Sequence, residues 1–253
     1  MKSHNIVLTF DDSSRENIKV AKILERYGSR GVFFLTTKYV EKEDALNIAT
    51  FHEIGSHTHT HPRLDDLSVE AASSELTLSK KLLEEMSNSN IISFSYPYGR
   101  LNGQIKYLVK SAGYCFARTA LVVPPYREIR DHYGIPVCLI DTQMTRKSYI
   151  YRVLKSLIDI DESNLKALPL YWKLGRGSPY RAMLDLARIL SDQLDRRICA
   201  QMFVTIMHPS LIERYNAFQE FEEVVNLLSN VGEVRTFRDI QRATHTFGSN
   251  TAT

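Results

Sequence analysis

Three histidines fall within five residues, at His57, His59 and His61, and Pro62 closes the run. Neutral imidazole is the commonest protein metal ligand. Histidines two and four apart can converge on one ion where the backbone is extended or tightly turned. A histidine-rich surface loop that binds nothing would carry the same residues. Elsewhere the chain supplies a carboxylate pair, Asp11-Asp12, and a further histidine followed by proline, His208-Pro209. Successive side chains of an extended backbone point opposite ways, so Asp11 and Asp12 should not share one job. One can hold a cation while the other stays near a reacting water. An aspartate oxygen with two histidine nitrogens leaves a coordination position open, the catalytic style of zinc site. Bound water there falls from a pKa of about 15.7 to roughly 7, a nucleophile at neutral pH. Such donors favour zinc, with cobalt, nickel or manganese as alternatives, over magnesium.

These residues need elements to position them. Asn5–Phe10 is a short apolar run, read as a buried strand that ends at Asp11. Ser13 and Glu16 make a capping-box pattern ahead of a helix with Val20, Ile23, Leu24 and Tyr27 on one face and Gly28 at its end. Gly31–Thr36 reads as a second strand, Glu43–Phe51 as a weak helix, and the approach to Ser56 as a third strand. Ser68–Met86 is the clearest helix, and Ile91–Tyr96 is a strand ending in Pro97-Tyr98-Gly99. Asn102–Ala112, Ser148–Ile158, Tyr180–Asp195 and Asn216–Ser229 read as helices, with strands at Tyr114–Thr119, Gly134–Ile140 and Met202–Met207. Asp159–Pro179 is a long connection of the kind that often lines a site, or a surface loop anchored by Leu168, Leu170 and Trp172. Alternating strand and helix argue for parallel strands with crossover helices. The expected architecture is one α/β domain over residues 1–245, a barrel, with a disordered tail at 246–253. Each polar cluster then follows a strand end, and in a parallel barrel those ends share one face.

At 253 residues, 43% hydrophobic and 24% charged, the composition is ordinarily globular. A net charge of +3, without runs of Lys or Arg, argues against a nucleic-acid partner. Cys115, Cys138 and Cys199 are an odd, sparse set among apolar neighbours, so buried thiols are expected rather than disulfides. Nothing approaches the roughly 18 apolar residues of a membrane span. Strand and acidic motif begin almost at once, leaving no signal-peptide core, and the location this suggests is cytoplasmic.

Four motifs together resemble the polysaccharide deacetylases of carbohydrate esterase family four: Thr9-Phe10-Asp11-Asp12, His57-Thr58-x-x-His61-Pro62, Tyr96-Pro97-Tyr98-Gly99 and Ile206-Met207-His208-Pro209. The first two are specific as a pair, and the likeness covers roughly residues 5–240. It implies a distorted (β/α)7 TIM-like barrel and a metal-dependent hydrolase that takes an acetyl group from an N-acetylated sugar, be it polymer, oligosaccharide or small conjugate. Carried over residue by residue, Asp12, His57 and His61 would be the metal ligands and Asp11 the general base. The Tyr98 N–H would serve the oxyanion, His208 would be the general acid, and Tyr96, Pro97, Tyr98 and Gly99 would border the sugar. His59 occupies the family's variable position, beside the ligands or as a substitute for one.

Two departures stand out. An arginine commonly opens the third motif and pairs with the base, and Ser95 stands there. The fourth motif, which usually orients base and acid, is not clear near Tyr133–Val137. Arg118 or Arg100 are candidates for pairing with Asp11, and Asp141 or Asp131 for orienting His208. Two other readings share the residues: hydrolysis of a non-sugar amide such as a ureide or imide, and a non-catalytic sugar-binding relative.

Overall fold

A computed structural model describes residues 5–123, 129–143, 178–197 and 202–248. The helix expected over 148–158, the connection 159–177, His4 and Cys199 lie outside these residues.

The strands are β1 (Asn5–Asp11), β2 (Val32–Leu35), β3 (Glu53–Ser56), β4 (Ser93–Ser95) and β5 (Phe116–Val122). They are followed by β6 (Ile135–Val137), β7 (Leu139–Ile140), β8 (Met202–Met207) and β9 (Glu233–Val234). Every pairing is parallel, in the order β6-β5-β4-β3-β2-β1-β8-β7, with β9 beside the start of β1. The two outermost strands are one run of chain, interrupted at Cys138. β6 pairs with β5, β7 pairs with β8, and the Cys138 N–H donates to the Val204 carbonyl at 2.8 Å. That run therefore joins the two edges of the sheet and nearly closes it as a barrel. Counted as one stave, it gives the expected seven among the described residues, β9 set aside. The distortion is local. Arg118 pairs with Ile135 and Val122 with Val137, so β5 spends four steps where β6 spends two and bulges between them.

Helices cover the outer face: α1 (Glu16–Arg26), α2 (Lys42–Ala49), α3 (Val69–Ser87), α4 (Gly103–Ser111), α5 (Pro179–Arg197), α6 (Pro209–Arg214), α7 (Phe218–Val231) and α8 (Phe237–Gly248). Because β1 is covered on both faces, Ile6, Val7, Leu8 and Phe10 are all fully buried, which is why it reads as an unbroken apolar run. Phe10 stacks on Phe33 at 4.8 Å between centroids and meets Phe221 of α7 edge-on at 5.9 Å. Burying a ring of that size contributes about 1.5–3 kcal/mol. On β3, a Cβ at Gly55 would sit 2.4 Å from the Phe34 ring, so only glycine lets β2 and β3 pack there.

Three local expectations differ. Ser13 does not cap α1, whose N-cap is Arg15 without a side-chain bond. Its hydroxyl exchanges bonds of 3.0 Å with the Thr36 N–H and carbonyl, tying the end of β1 to the end of β2. Tyr27 is 38% exposed, its hydroxyl bonded to Glu222 rather than packed in the core. Finally, α8 runs to Gly248, so its last turn occupies residues 246–248 of the stretch read as a tail. Among the described residues no helix is long and apolar enough to cross a membrane.

Candidate active site

Parallel register puts the C-terminal ends of the strands on one rim, and each sequence motif falls there. Asp11 pairs with Phe34, Leu35 with Ser56, Ser95 with Arg118 and Ile140 with Ile206, so the residues that follow these positions meet across the barrel mouth.

β1 ends on Asp11, and Asp12 turns out of the strand at φ +70°. Asn17 Nδ2 donates to the Asp12 carbonyl at 2.9 Å and holds that turn. The reversal separates the two carboxylates as alternation requires: Asp11 is buried, while the Asp12 side chain is 45% exposed.

The histidine run is a tight turn rather than an extended strand. Thr58 and His61 both stand at positive φ, +69° and +63°. Such backbone costs of order 1–3 kcal/mol at a non-glycine residue and persists only where surroundings enforce it. Here Glu75 of α3 enforces it, accepting from the His59 N–H at 2.8 Å, the Thr60 N–H at 2.9 Å and the Thr60 hydroxyl at 2.7 Å. Thr58 Oγ1 accepts from the His61 N–H at 2.9 Å. The turn brings His57 and His61 together and sends His59 away, with Nδ1 2.7 Å from the Thr37 hydroxyl.

Asp12, His57 and His61 consequently offer ligand atoms all within 4.8 Å of one another. The Nε2 atoms of His57 and His61 are 3.1 Å apart, and Asp12 Oδ1 lies 3.9 and 3.7 Å from them. Two ligands at 2.0–2.1 Å in a tetrahedral shell are about 3.3 Å apart, so the triangle has the right size for one ion. The donor state suits it too. His57 Nδ1 lies 2.8 Å from the Ser95 carbonyl, which can only accept, so Nδ1 carries the proton and Nε2 the lone pair. Burial drives the His57 pKa down to about 4, against the opposing pull of Asp11, which keeps the ring neutral at pH 7. The residues fit a divalent ion with nitrogen and oxygen preference.

Asp11 stays out of that triangle, Oδ2 3.9 Å from His57 Nε2. Its partner is Arg118 of β5, whose guanidinium donates to Asp11 Oδ1, to Ser95 Oγ at 2.6 Å and to the Thr119 carbonyl at 3.2 Å. Burial alone would raise the Asp11 carboxyl, but Arg118, then His57 and His208, outweigh it and hold the pKa below its ordinary value. Ser95 thus keeps the arginine's place in the third motif, while the arginine itself comes from the neighbouring strand. Arg100 is engaged elsewhere, on Asp65 at 2.7 Å.

Opposite stands His208, at the end of β8. Its Nδ1 lies 2.7 Å from Asp141 Oδ1 and its backbone N–H donates to Asp141 Oδ2 at 2.6 Å. Asp141 is fully buried just after β7. Burial would lower the imidazole pKa, but Asp141, then Asp11 and Asp12, raise it to about 9. Asp131 pairs with Lys106 instead. Tyr180 of α5 also reaches Asp141, its hydroxyl 2.5 Å from Oδ2.

Tyr98 stands at φ +59° and Gly99 at +67°. A Cβ on Gly99 would lie 2.5 Å from Ala120 Cβ and 2.6 Å from its nitrogen, because the β5 bulge presses there. The Tyr98 ring is 58% exposed at the rim, 4.8 Å from the His61 ring and 5.3 Å from the Arg63 guanidinium. Tyr96 is buried against Phe94 and donates to the Tyr133 carbonyl at 2.9 Å, so packing accounts for most of it. A cavity of about 540 Å³ is lined by Asp11, Asp12, His57, His61, Tyr98 and His208 among others. The motifs did not reveal Glu75 or Tyr180. Glu75 sits on the most legible helix, but its spacing from the histidines carries no signal.

A parallel barrel with a His-His-Asp triangle at its C-terminal rim, flanked by a buried Asp–Arg pair and an Asp–His pair, has the donor set and the placement that a metal-assisted hydrolase site would need. Comparison with known proteins shows what the chain is similar to. Residues 1–117 match the polysaccharide deacetylase family model. The Bacillus subtilis protein YxkH, whose own assignment as a polysaccharide deacetylase is provisional, is 30% identical over 117 residues, which is 43% of this chain and 42% of that protein. A chitooligosaccharide deacetylase of Azorhizobium caulinodans is 27% identical over 115 residues, 43% of this chain and 55% of that one. The chain thus spans about half the length of the curated relatives it matches. Among solved structures, the CE4 domain of a multidomain xylanase from the Trinervitermes trinervoides hindgut metagenome superposes with TM-score 0.61 over 96% of this chain and 92% of that domain. At 15% identity that match speaks for the fold alone. Over its first 117 residues the chain is similar to the polysaccharide deacetylases, the family its motifs resemble.

Proposed function

We propose that the protein is a divalent-metal-dependent hydrolase that removes the acetyl group from an N-acetylated sugar. The observation that carries this reading is the convergence in one cavity of Asp12, His57 and His61 with the Asp11–Arg118 and Asp141–His208 pairs on either side. Breaking an amide requires an activated water, charge stabilisation on the carbonyl oxygen and a proton for the departing nitrogen.

Asp12, His57 and His61 would hold the ion, which when bound supplies Lewis-acid polarisation and a water of lowered pKa, zinc being the expected choice. Asp11, kept ionised by Arg118, is the base that accepts the water's proton as oxygen adds to the acetyl carbon. The Tyr98 N–H, set by its left-handed backbone at the cavity wall, is the donor for the developing oxyanion. Removing one such donor in a comparable site costs on the order of 100- to 1000-fold in rate. His208 gives its proton to the nitrogen as the C–N bond breaks, and acetate and a free amine leave. Asp141 fixes Nδ1 of that ring, which leaves Nε2 for the substrate.

The unclear fourth motif motivates the alternative of a non-catalytic relative. Arg118 and Asp141 stand where partners of the base and acid are needed, which supports the catalytic reading. The test is acetate release from N-acetylglucosamine oligomers by the metal-loaded protein, beside Asp11→Asn and a panel of cyclic ureides and imides. Acetate release that depends on Asp11 is expected. Turnover of the cyclic amides without acetate release would move the activity to the other substrate class, and metal binding without turnover of either would leave a binding protein.

A further inference from the structure

We propose that Tyr180 is a positioning residue that locks the Asp141 carboxylate and, through it, the His208 imidazole in the orientation needed to protonate the leaving nitrogen. This rests on the deacetylase reading only for the part His208 plays.

Four donors meet the fully buried Asp141 side chain. Oδ1 takes His208 Nδ1 at 2.7 Å and the Thr142 N–H at 2.6 Å, and Oδ2 takes the His208 N–H at 2.6 Å and the Tyr180 hydroxyl at 2.5 Å. Thr142 is the next residue in the chain, and the two His208 contacts belong to the residue being oriented. Tyr180 alone of the four comes from an independent element, α5, so it alone ties the end of β7 to something other than itself and its client. Its hydroxyl also lies 3.1 Å from the His208 carbonyl, so one group touches the aspartate and the backbone of the histidine it serves. Tyr180 is fully buried, and burial with Asp141 beside it pushes the phenol pKa well up, so it remains a donor. A buried phenol must find a partner. A core role would be met by phenylalanine or by any carbonyl. The partner here is the carboxylate of the Asp–His pair.

The variant Tyr180→Phe keeps the ring and removes the donor. Two substrates separate positioning from general damage. An N-acetylglucosamine oligomer needs a proton on its leaving amine, whereas 4-nitrophenyl acetate releases 4-nitrophenolate, which leaves as the anion. Positioned proton transfer contributes about 10²–10⁴-fold, so Tyr180→Phe is expected to lower kcat on the amide by about tenfold or more, with KM within about twofold. Turnover of the ester should change by less than about threefold. In proton NMR a sharp downfield His208 Nδ1–H resonance is expected in the parent protein and should broaden in the variant. Asp141→Asn, the second variant, should show the same amide-selective loss. Equal losses on both substrates, or an undiminished amide rate with a sharp resonance, would overturn the proposal. If the parent protein releases no acetate from sugars, the deacetylase reading fails and the resonance alone decides: broadening in Tyr180→Phe upholds the positioning role, and an unchanged line ends it.

Discussion

Replacing Arg118 by methionine should destabilise the protein in a way that depends on pH. The side chains of Arg118 and Asp11 are 1% and 8% exposed, and the guanidinium serves Asp11, Ser95 and the Thr119 carbonyl together. Methionine fills much of the volume but leaves a buried carboxylate with the Ser95 hydroxyl, 3.4 Å from Oδ2, the neutral His57 and the charge of His208 across the cavity. Breaking a buried pair by removing one partner costs about 3–5 kcal/mol. The protonated His208 offsets part of that, so about 3 kcal/mol is expected at pH 7, a large share of the 5–15 kcal/mol typical of a domain. The sign of the pH dependence follows from the shifts. In the parent, Asp11 has a depressed pKa, so its contribution is present above the ordinary value of 3.8 and is lost as pH falls through the folded value. In Arg118→Met the largest opposing influence is gone and burial is expected to win, so the folded pKa lies above the ordinary value and the ionised group is a liability that protonation removes. The stability gap should therefore be widest near neutral pH and narrow as pH falls toward 4. Urea unfolding of the metal-free proteins, extrapolated linearly at several pH values, measures it. Asp11→Asn combined with Arg118→Met should recover most of the stability while remaining inactive, because no charge is left unpaired. A gap below about 1 kcal/mol at pH 7, or one that does not close on acidification, would refute the assignment of Arg118 as the partner that keeps Asp11 ionised.

Other outcomes follow from the same geometry. Alanine at Asp12, His57 or His61 should each weaken zinc binding by more than about 100-fold in titration calorimetry, whereas Glu75→Ala, which only loosens the turn, should cost about 10–100-fold, as outer partners of metal sites do. His208, with its pKa raised to about 9, contributes stability that is fully present below its unfolded value near 6.5 and lost as pH rises through about 9. The pH–rate profile should accordingly fall on its alkaline side near 9, and Asp141→Asn should move that limb toward neutral pH; a limb that stays in place would exclude Asp141 as the cause. Gly99→Ala should lower thermal stability and deacetylation together, since the new methyl meets Ala120 at 2.5 Å at a φ of +67°, and a neutral result in differential scanning calorimetry would contradict that contact.

The sequence by itself determined the barrel and the positions of the principal groups. Runs such as Asn5–Phe10 and Met202–Met207 read as strands buried on both faces, and parallel strands put whatever follows them on one rim, so the placement of Asp11, His57, Tyr98 and His208 on that rim was legible without coordinates. Local spacing said nothing of partners distant in the chain. Arg118 reaches Asp11 across 107 positions, and Asp141 reaches His208 across 67, through register set between strands. Arg100 and Asp131, equally plausible on paper, are taken by Asp65 and Lys106 on the surface. His59 shares the ligands' face on an extended backbone. The left-handed turns at Thr58 and His61, which Glu75 stabilises from another element, remove it. Hydrophobic pattern is periodic and therefore readable locally, whereas the pairing of buried charges depends on which elements the closed barrel makes neighbours, and only the tertiary structure decides that.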